Sequence, residues 1–210
     1  MNTFDVSIST NIDDGFDDAI EKAMKLYLEG GVFVYPTDTI YGLGANPFNE
    51  EAIRKVDEIK QRESGKQYIL LISDINNLLK YVEIKYEKHH DFLLSIWPNP
   101  ISVVLPLNEK TSDLLGAPTA AFRIPNNKFC IKLTGKLGMP LLSTSVNKSN
   151  SPALNDISEI EAEFGDKVDG IFYTNKKIYH QASTLIDLKG KEPVLLREGK
   201  IKFKEIMEKF

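Results

Sequence analysis

The feature that most constrains this chain is an alternation. Short runs rich in β-branched and aromatic residues recur between stretches whose apolar positions follow helical spacing. Residues 16–28 show the helical period, and Gly30-Gly31 stand where a C-terminal cap belongs. Val32-Phe33-Val34-Tyr35 reads as a buried strand stopped by Pro36. Asn49 is placed to cap a helix running through Glu51, Ile53, Val56 and Ile59. Another buried strand is expected at 68–72, then helices at 74–81 and 86–96. Strand composition follows at 102–107, 120–124, 141–145, 170–173, 184–188 and 194–196. A helix at 127–137 ends on Gly138, and a last one spans 203–210. Strands interleaved with helices predict an α/β (α+β) fold around one mixed sheet. No linker rich in Pro, Gly or Ser divides the chain, so a single domain over residues 1–210 is expected.

Composition narrows the function. With 42% hydrophobic residues in a chain of 210, a sizeable core can form. A net charge of −4 argues against a general nucleic-acid coat, while leaving a local basic cleft open. The single cysteine, Cys130, allows neither an intramolecular disulfide nor a cysteine zinc cluster, and it fits a reducing cytoplasm. Residues 1–14 are polar and acidic, unlike a signal peptide, and no apolar run reaches the roughly 18 residues of a membrane span. The expectation is a soluble cytoplasmic protein with no membrane partner. Walker A, Gly-x-Ser-x-Gly and His-Glu-x-x-His sequences are absent, and Gly42-Leu43-Gly44 lacks the third glycine of a dinucleotide fingerprint. His89, His90 and His180 sit among polar neighbours and read as solvated. The chemistry is therefore expected to rest on Thr, Ser, Asn, Lys and Arg, which bind anions and position reactants.

Several segments carry such groups at strand or helix ends. Tyr35-Pro36-Thr37-Asp38-Thr39-Ile40-Tyr41-Gly42-Leu43-Gly44 follows a buried strand, either as a ligand loop with glycines that admit close approach or as a locally capped tight turn. Lys60-Gln61-Arg62, with Lys66 nearby, is either a dipole-matched helix end or a phosphate grip. Arg123, inside apolar Phe122-Arg123-Ile124-Pro125, needs an anionic partner, internal or supplied by a substrate. In Leu142-Ser143-Thr144-Ser145-Val146-Asn147, alternation puts Ser143, Ser145 and Asn147 on one face, as a polar wall or a strand-to-loop transition. Ser183-Thr184 and Leu196-Arg197-Glu198-Gly199 are weaker signals of the same kind.

In this order, the segments resemble the YrdC/TsaC family of threonylcarbamoyl-AMP synthases. Pro36-Thr37-Asp38-Thr39-Ile40-Tyr41-Gly42-Leu43-Gly44 looks like the family's own stretch, and Lys60-Gln61-Arg62 and Ser145-Val146-Asn147 like its two signatures. Trp97-Pro98-Asn99-Pro100, Arg123-Ile124-Pro125, Ser183-Thr184 and Pro193-Val194-Leu195-Leu196-Arg197 complete the set. Asn99 replaces a family glycine, Glu63 and Gln67 replace prolines, and Ala153 stands where some members have serine. A divergent paralogue branch has lost much of both signatures, and Lys60, Arg62 and Asn147 set this chain apart from it.

The resemblance implies a YrdC-like twisted mixed sheet flanked by helices around a large concave cavity, in the short form without an extra C-terminal domain. It implies threonine contacts from Thr39, Arg123, Ser143 and Ser183. ATP contacts would come from Arg62, Lys66, Thr119, Ser145, Asn147 and Arg197. Lys60 and Arg62 would be the catalytic cations, with Mg²⁺ accompanying ATP and no metal ligand from the protein. The implied reaction joins L-threonine and bicarbonate as a carbamate that attacks the α-phosphorus of ATP, releasing pyrophosphate. The product, L-threonylcarbamoyladenylate, would pass to a threonylcarbamoyl transferase complex that modifies tRNA. The competing expectation is a non-catalytic RNA-binding module of the same fold. The acidic net charge and the absence of the aromatic RNA-binding signature weigh against that alternative. A carbamoyl-transfer accessory domain of a larger maturation enzyme is a third reading, disfavoured by the lack of zinc-finger cysteines.

Overall fold

The computed structural model describes residues 8–61, 68–149, 151–176, 178 and 181–210. Two compact units form, each from two separated stretches: Met1–Lys66 with Leu141–His180, and Gln67–Pro140 with Gln181–Phe210.

In the first unit, helix α1 (Phe16–Leu28) opens with Asp17 and Asp18 and carries Lys25 in its last turn, matching the helix dipole at both ends. Ala19, Ile20, Ala23 and Tyr27 form its buried stripe. Gly30, at φ 79°, turns the chain left-handed, and a Cβ there would lie 2.6 Å from the Asn49 amide nitrogen. Strand β1 (Ile8–Asn11) is parallel to β8 (Gly170–Tyr173), which is parallel to β2 (Phe33–Pro36). Strands β3 (Tyr41–Ala45) and β7 (Leu141–Ser145) continue the sheet antiparallel, giving the order β1-β8-β2-β3-β7. Phe33 packs edge-on against Phe172 with centroids 5.7 Å apart, at the heart of this core. Helix α2 (Glu50–Lys60) starts at Asn49, whose side chain accepts from Ala52 N–H at 3.0 Å. It ends at Gln61, φ 49°. Helix α7 (Ile157–Phe164) is capped by Asp156.

The second unit is built on β4 (Ile69–Leu71), β6 (Thr119–Arg123), β5 (Ile101–Pro106), β9 (Thr184–Asp187) and β10 (Val194–Arg197), in that spatial order. Parallel pairs β4–β6 and β5–β9 alternate with antiparallel β5–β6 and β9–β10, so this sheet is mixed as well. Around it lie α3 (Ile75–Leu78), α4 (Glu87–Ile96), α5 (Glu109–Leu115), α6 (Lys128–Leu137) and α8 (Phe203–Met207). The Trp97 indole donates to the Ile101 carbonyl at 2.6 Å, and the Asn99 N–H reaches the Ile124 carbonyl at 3.1 Å, tying the Trp-Pro-Asn-Pro turn to the strand that ends on Arg123.

The α/β class and most element positions agree with expectation; the exceptions are informative. Strand β3 stands where the glycine-bearing segment predicts a ligand loop or a locally capped tight turn. Hydrogen bonding to β2 on one side and β7 on the other makes it an interior strand regardless. Helices α5 and α7 were passed over, although Asn108 and Asp156 cap them from the side chain. His89 corrects the solvated reading. It is buried, its ring lies 5.0 Å from that of Tyr86, and its Nε2 bonds the Lys191 carbonyl at 3.2 Å. His90 is partly exposed beside Asp91, and His180 lies outside the described residues.

Candidate functional site

The first unit gathers one polar cluster. Lys60 rides the apolar face of α2 at its last turn, so helix geometry buries its stem and sends the ammonium toward the end of β7. There Nζ donates to the Ser145 carbonyl at 2.7 Å, to Ser145 Oγ at 3.4 Å and, by a very short contact, to Asn147 Oδ1. Ser145 Oγ donates to the same amide oxygen at 2.7 Å. The Lys60 carbonyl accepts from Ser149 N–H at 2.8 Å, closing the connection from both ends of the lysine. The sequence places these residues more than 80 positions apart, as the 85-residue separation of Lys60 and Ser145 shows.

Strand register completes the wall. Gly42 stands opposite Ser145 and Gly44 opposite Ser143, so both serines face backbone without side chains. The space beside Gly44 is taken by the rings of Tyr35 and Phe33, which a Cβ would meet at 2.7 and 3.1 Å. These glycines thus serve aromatic packing, which the ligand-loop expectation did not include. In the loop between β2 and β3, the Thr37 hydroxyl donates to the Ile40 carbonyl at 2.7 Å and accepts from the N–H groups of Thr39 and Ile40. It also lies 2.9 Å from Thr39 Oγ1. Thr37 therefore shapes the loop that presents buried Thr39.

The second unit holds the other cluster. Arg123 ends β6 and is only 4% exposed. Ser102 and Ser183, both buried, share a hydroxyl–hydroxyl contact of 2.9 Å. Arg197 lies on β10, exposed along its length, yet its guanidinium reaches in to the Ser183 carbonyl at 3.0 Å and to Ser183 Oγ at 3.5 Å. Burial lowers the Arg197 pKa, and the positive charge of Arg123 lowers it further. Two guanidinium groups within each other's field favour an anion beside them. Gly199 passes so close to this corner that a Cβ would sit 2.4 Å from the Ala182 oxygen and from the Ser183 carbonyl carbon. Thr119 begins β6 and so stands about 13 Å by strand rise from Arg123, apart from that cluster.

Among the sequence-derived candidates, Lys60, Ser145 and Asn147 touch one another, with Ser143 and Thr39 on neighbouring elements of the same unit. Ser183 and Arg197 are bonded, and Arg123 acts on Arg197 electrostatically. Arg62 and Lys66 lie outside the described residues. Ser102 was missed, and a lone serine in an apolar strand was the available signal; Thr37 stood in the expected ligand loop without the loop-shaping role that its hydrogen bonds give it. Among the described residues, no group of three His, Cys, Asp or Glu side chains is arranged to hold a metal, and no helix is long and apolar enough to cross a membrane.

Each unit of this α/β protein gathers hydroxyls or an amide with cations at strand and helix ends, a donor set suited to anions. The chain belongs to the Sua5/YciO/YrdC family, described as Telomere recombination, which matches residues 25–199. Threonylcarbamoyl-AMP synthase of Idiomarina loihiensis is 37% identical over 149 residues, spanning 69% of this chain and 80% of that protein. The like-named protein of Vibrio vulnificus is 29% identical over 184 residues, spanning 86% and 98%. The structure of P. abyssi Sua5 complexed with L-threonine matches with a TM-score of 0.85 at 28% identity, covering 97% of this chain and 60% of that one. This chain therefore spans about three-fifths of the length of P. abyssi Sua5. E. coli YciO matches with a TM-score of 0.84 at 27% identity, covering 95% of this chain and 98% of that one.

Proposed function

We propose that this chain is an L-threonylcarbamoyladenylate synthase, a nucleotidyltransferase that forms threonylcarbamoyl-AMP and pyrophosphate from ATP, L-threonine and bicarbonate. The observation that carries the reading is the Lys60–Ser145–Asn147 cluster, assembled from two signatures distant in sequence. The threonine amine condenses with bicarbonate to a carbamate, forming the C–N bond and releasing water. A carbamate oxygen attacks the α-phosphorus, and pyrophosphate leaves. No protein nucleophile is needed, so catalysis rests on alignment and on stabilising spread negative charge.

In this reading Ser145 and Asn147 hold the nucleotide. Lys60 fixes both of them and supplies positive charge near the phosphates, aided by Arg62 and Lys66. Thr39 and Ser143 offer hydroxyls to threonine, Arg123 and Ser183 recognise its carboxylate, and Thr119 and Arg197 belong to the ATP contacts. Mg²⁺ enters with ATP as part of the substrate. The product would go on to a threonylcarbamoyl transferase complex acting on tRNA, in a reducing cytoplasm. The test is pyrophosphate release in ATP, bicarbonate and Mg²⁺, with and without L-threonine. Threonine-dependent release supports the synthase. Salt-dependent tRNA binding without release would favour the RNA-binding alternative.

A further inference from the structure

Asp13 lies in the turn between β1 and α1, upstream of the matched residues 25–199. Its Oδ2 accepts from the Thr174 hydroxyl at 2.8 Å and from the Asn175 N–H at 2.8 Å. The Lys176 ammonium stands 3.7 Å from Oδ1, but it is largely solvated and adds little. The carboxylate thus caps the turn that leaves β8. From that turn, the Thr174 N–H donates to the phenol oxygen of Tyr41 at 3.3 Å.

Tyr41 is 3% exposed and is held at its backbone too. Its N–H donates to Asn155 Oδ1 at 3.2 Å, and its carbonyl accepts from Val146 N–H at 3.4 Å. Thr39 precedes Tyr41 by two positions, and Val146 separates Ser145 from Asn147. Tyr41 therefore ties the 174 turn, through its phenol, to the end of β7, through its carbonyl, two positions after Thr39.

We propose that Asp13 is a positioning residue for the synthase reaction: through Thr174 and Tyr41 it fixes the loop presenting Thr39 relative to the strand end presenting Ser145 and Asn147. The role rests on the synthase reading above. Asp13 touches no reacting atom. Without its carboxylate, the Thr174 hydroxyl and the Asn175 N–H turn to water, and the donor that holds the Tyr41 ring is no longer fixed.

Steady-state kinetics of the full chain test the proposal. Asp13→Ala is expected to raise the KM for L-threonine about tenfold with kcat per folded protein little changed. Asp13→Asn, which keeps an acceptor oxygen in place, is expected to restore KM to within about twofold of wild type. Thr174→Val, which removes the hydroxyl, is expected to follow Asp13→Ala and serves if that variant does not fold. An unchanged KM in the folded variants, or a loss of kcat that tracks the folded fraction alone, overturns the role. Wild-type pyrophosphate release, read in the same assay, separates the two ideas. An inactive wild type defeats the synthase reading and this role with it. An active wild type with indifferent Asp13 and Thr174 variants defeats only the positioning role.

Discussion

Arg123 is a buried cation at a strand end, and Arg197, which bonds Ser183, feels its charge. A planar guanidinium can clamp a carboxylate through two parallel bonds, which an ammonium cannot imitate. Replacing Arg123 with Ala is expected to lower kcat/KM for L-threonine by roughly 100-fold or more, about 3 kcal/mol, with Arg123→Lys recovering little of it. Initial rates over a threonine series check this. Gly199 makes a steric demand at the same corner. A methyl there would lie 2.4 Å from the Ala182 oxygen, against backbone that cannot swing aside as a side chain can. Gly199→Ala is expected to cost about 1–3 kcal/mol and to raise the threonine KM by displacing Ser183. A thermal melt paired with kinetics reads both effects. The glycine was visible in Leu-Arg-Glu-Gly, but its neighbour across the fold was not.

At the scale of elements, α2 shows local chemistry and tertiary contact acting together. Asn49 starts the helix, the apolar period at Ala52, Val56 and Ile59 faces it inward, and Lys60 continues that face to the cluster. A brace on its middle holds it in place: Lys55 Nζ lies 2.7 Å from both carboxylate oxygens of Asp169, and Asp169 Oδ2 also accepts from Val32 N–H at 2.7 Å. Asp169→Ala leaves that backbone donor and the ammonium without the carboxylate. Roughly 1–3 kcal/mol of stability is expected to be lost, measurable by denaturant titration. Strand β3 teaches the converse. Two glycines lowered its strand signal, yet flanking strands supply its hydrogen bonds and two aromatic rings occupy the room that Cβ atoms would need. Local composition is a poor guide wherever neighbours decide the pairing.

At the scale of the molecule, each unit is stitched from distant stretches of chain, and carboxylates held below their ordinary range occur in both. Asp13 is lowered chiefly by the Thr174 hydroxyl, Asp74 by the Ser73 hydroxyl and Glu198 by the Phe203 N–H. A carboxyl that titrates lower when folded than when unfolded stabilises above its unfolded value. That contribution disappears as pH falls through the folded value. The melting temperature is therefore expected to hold near pH 6 and to fall below about pH 4, and a series of thermal melts across that range checks it. The sequence by itself determined the α/β class, the helix capped at Asn49 and the helix stopped at Gly138, most strand positions, and the residue types able to seat an anion. These follow from period, capping chemistry and alternation, all of which act over a few residues. Tertiary structure alone decided that Lys60 meets Asn147, that Ser102 meets Ser183, that Tyr35 lies over Gly44, and that Asp13 reaches Thr174. All but the Tyr35–Gly44 contact join positions many tens of residues apart, and strand register and packing set them where no local pattern can.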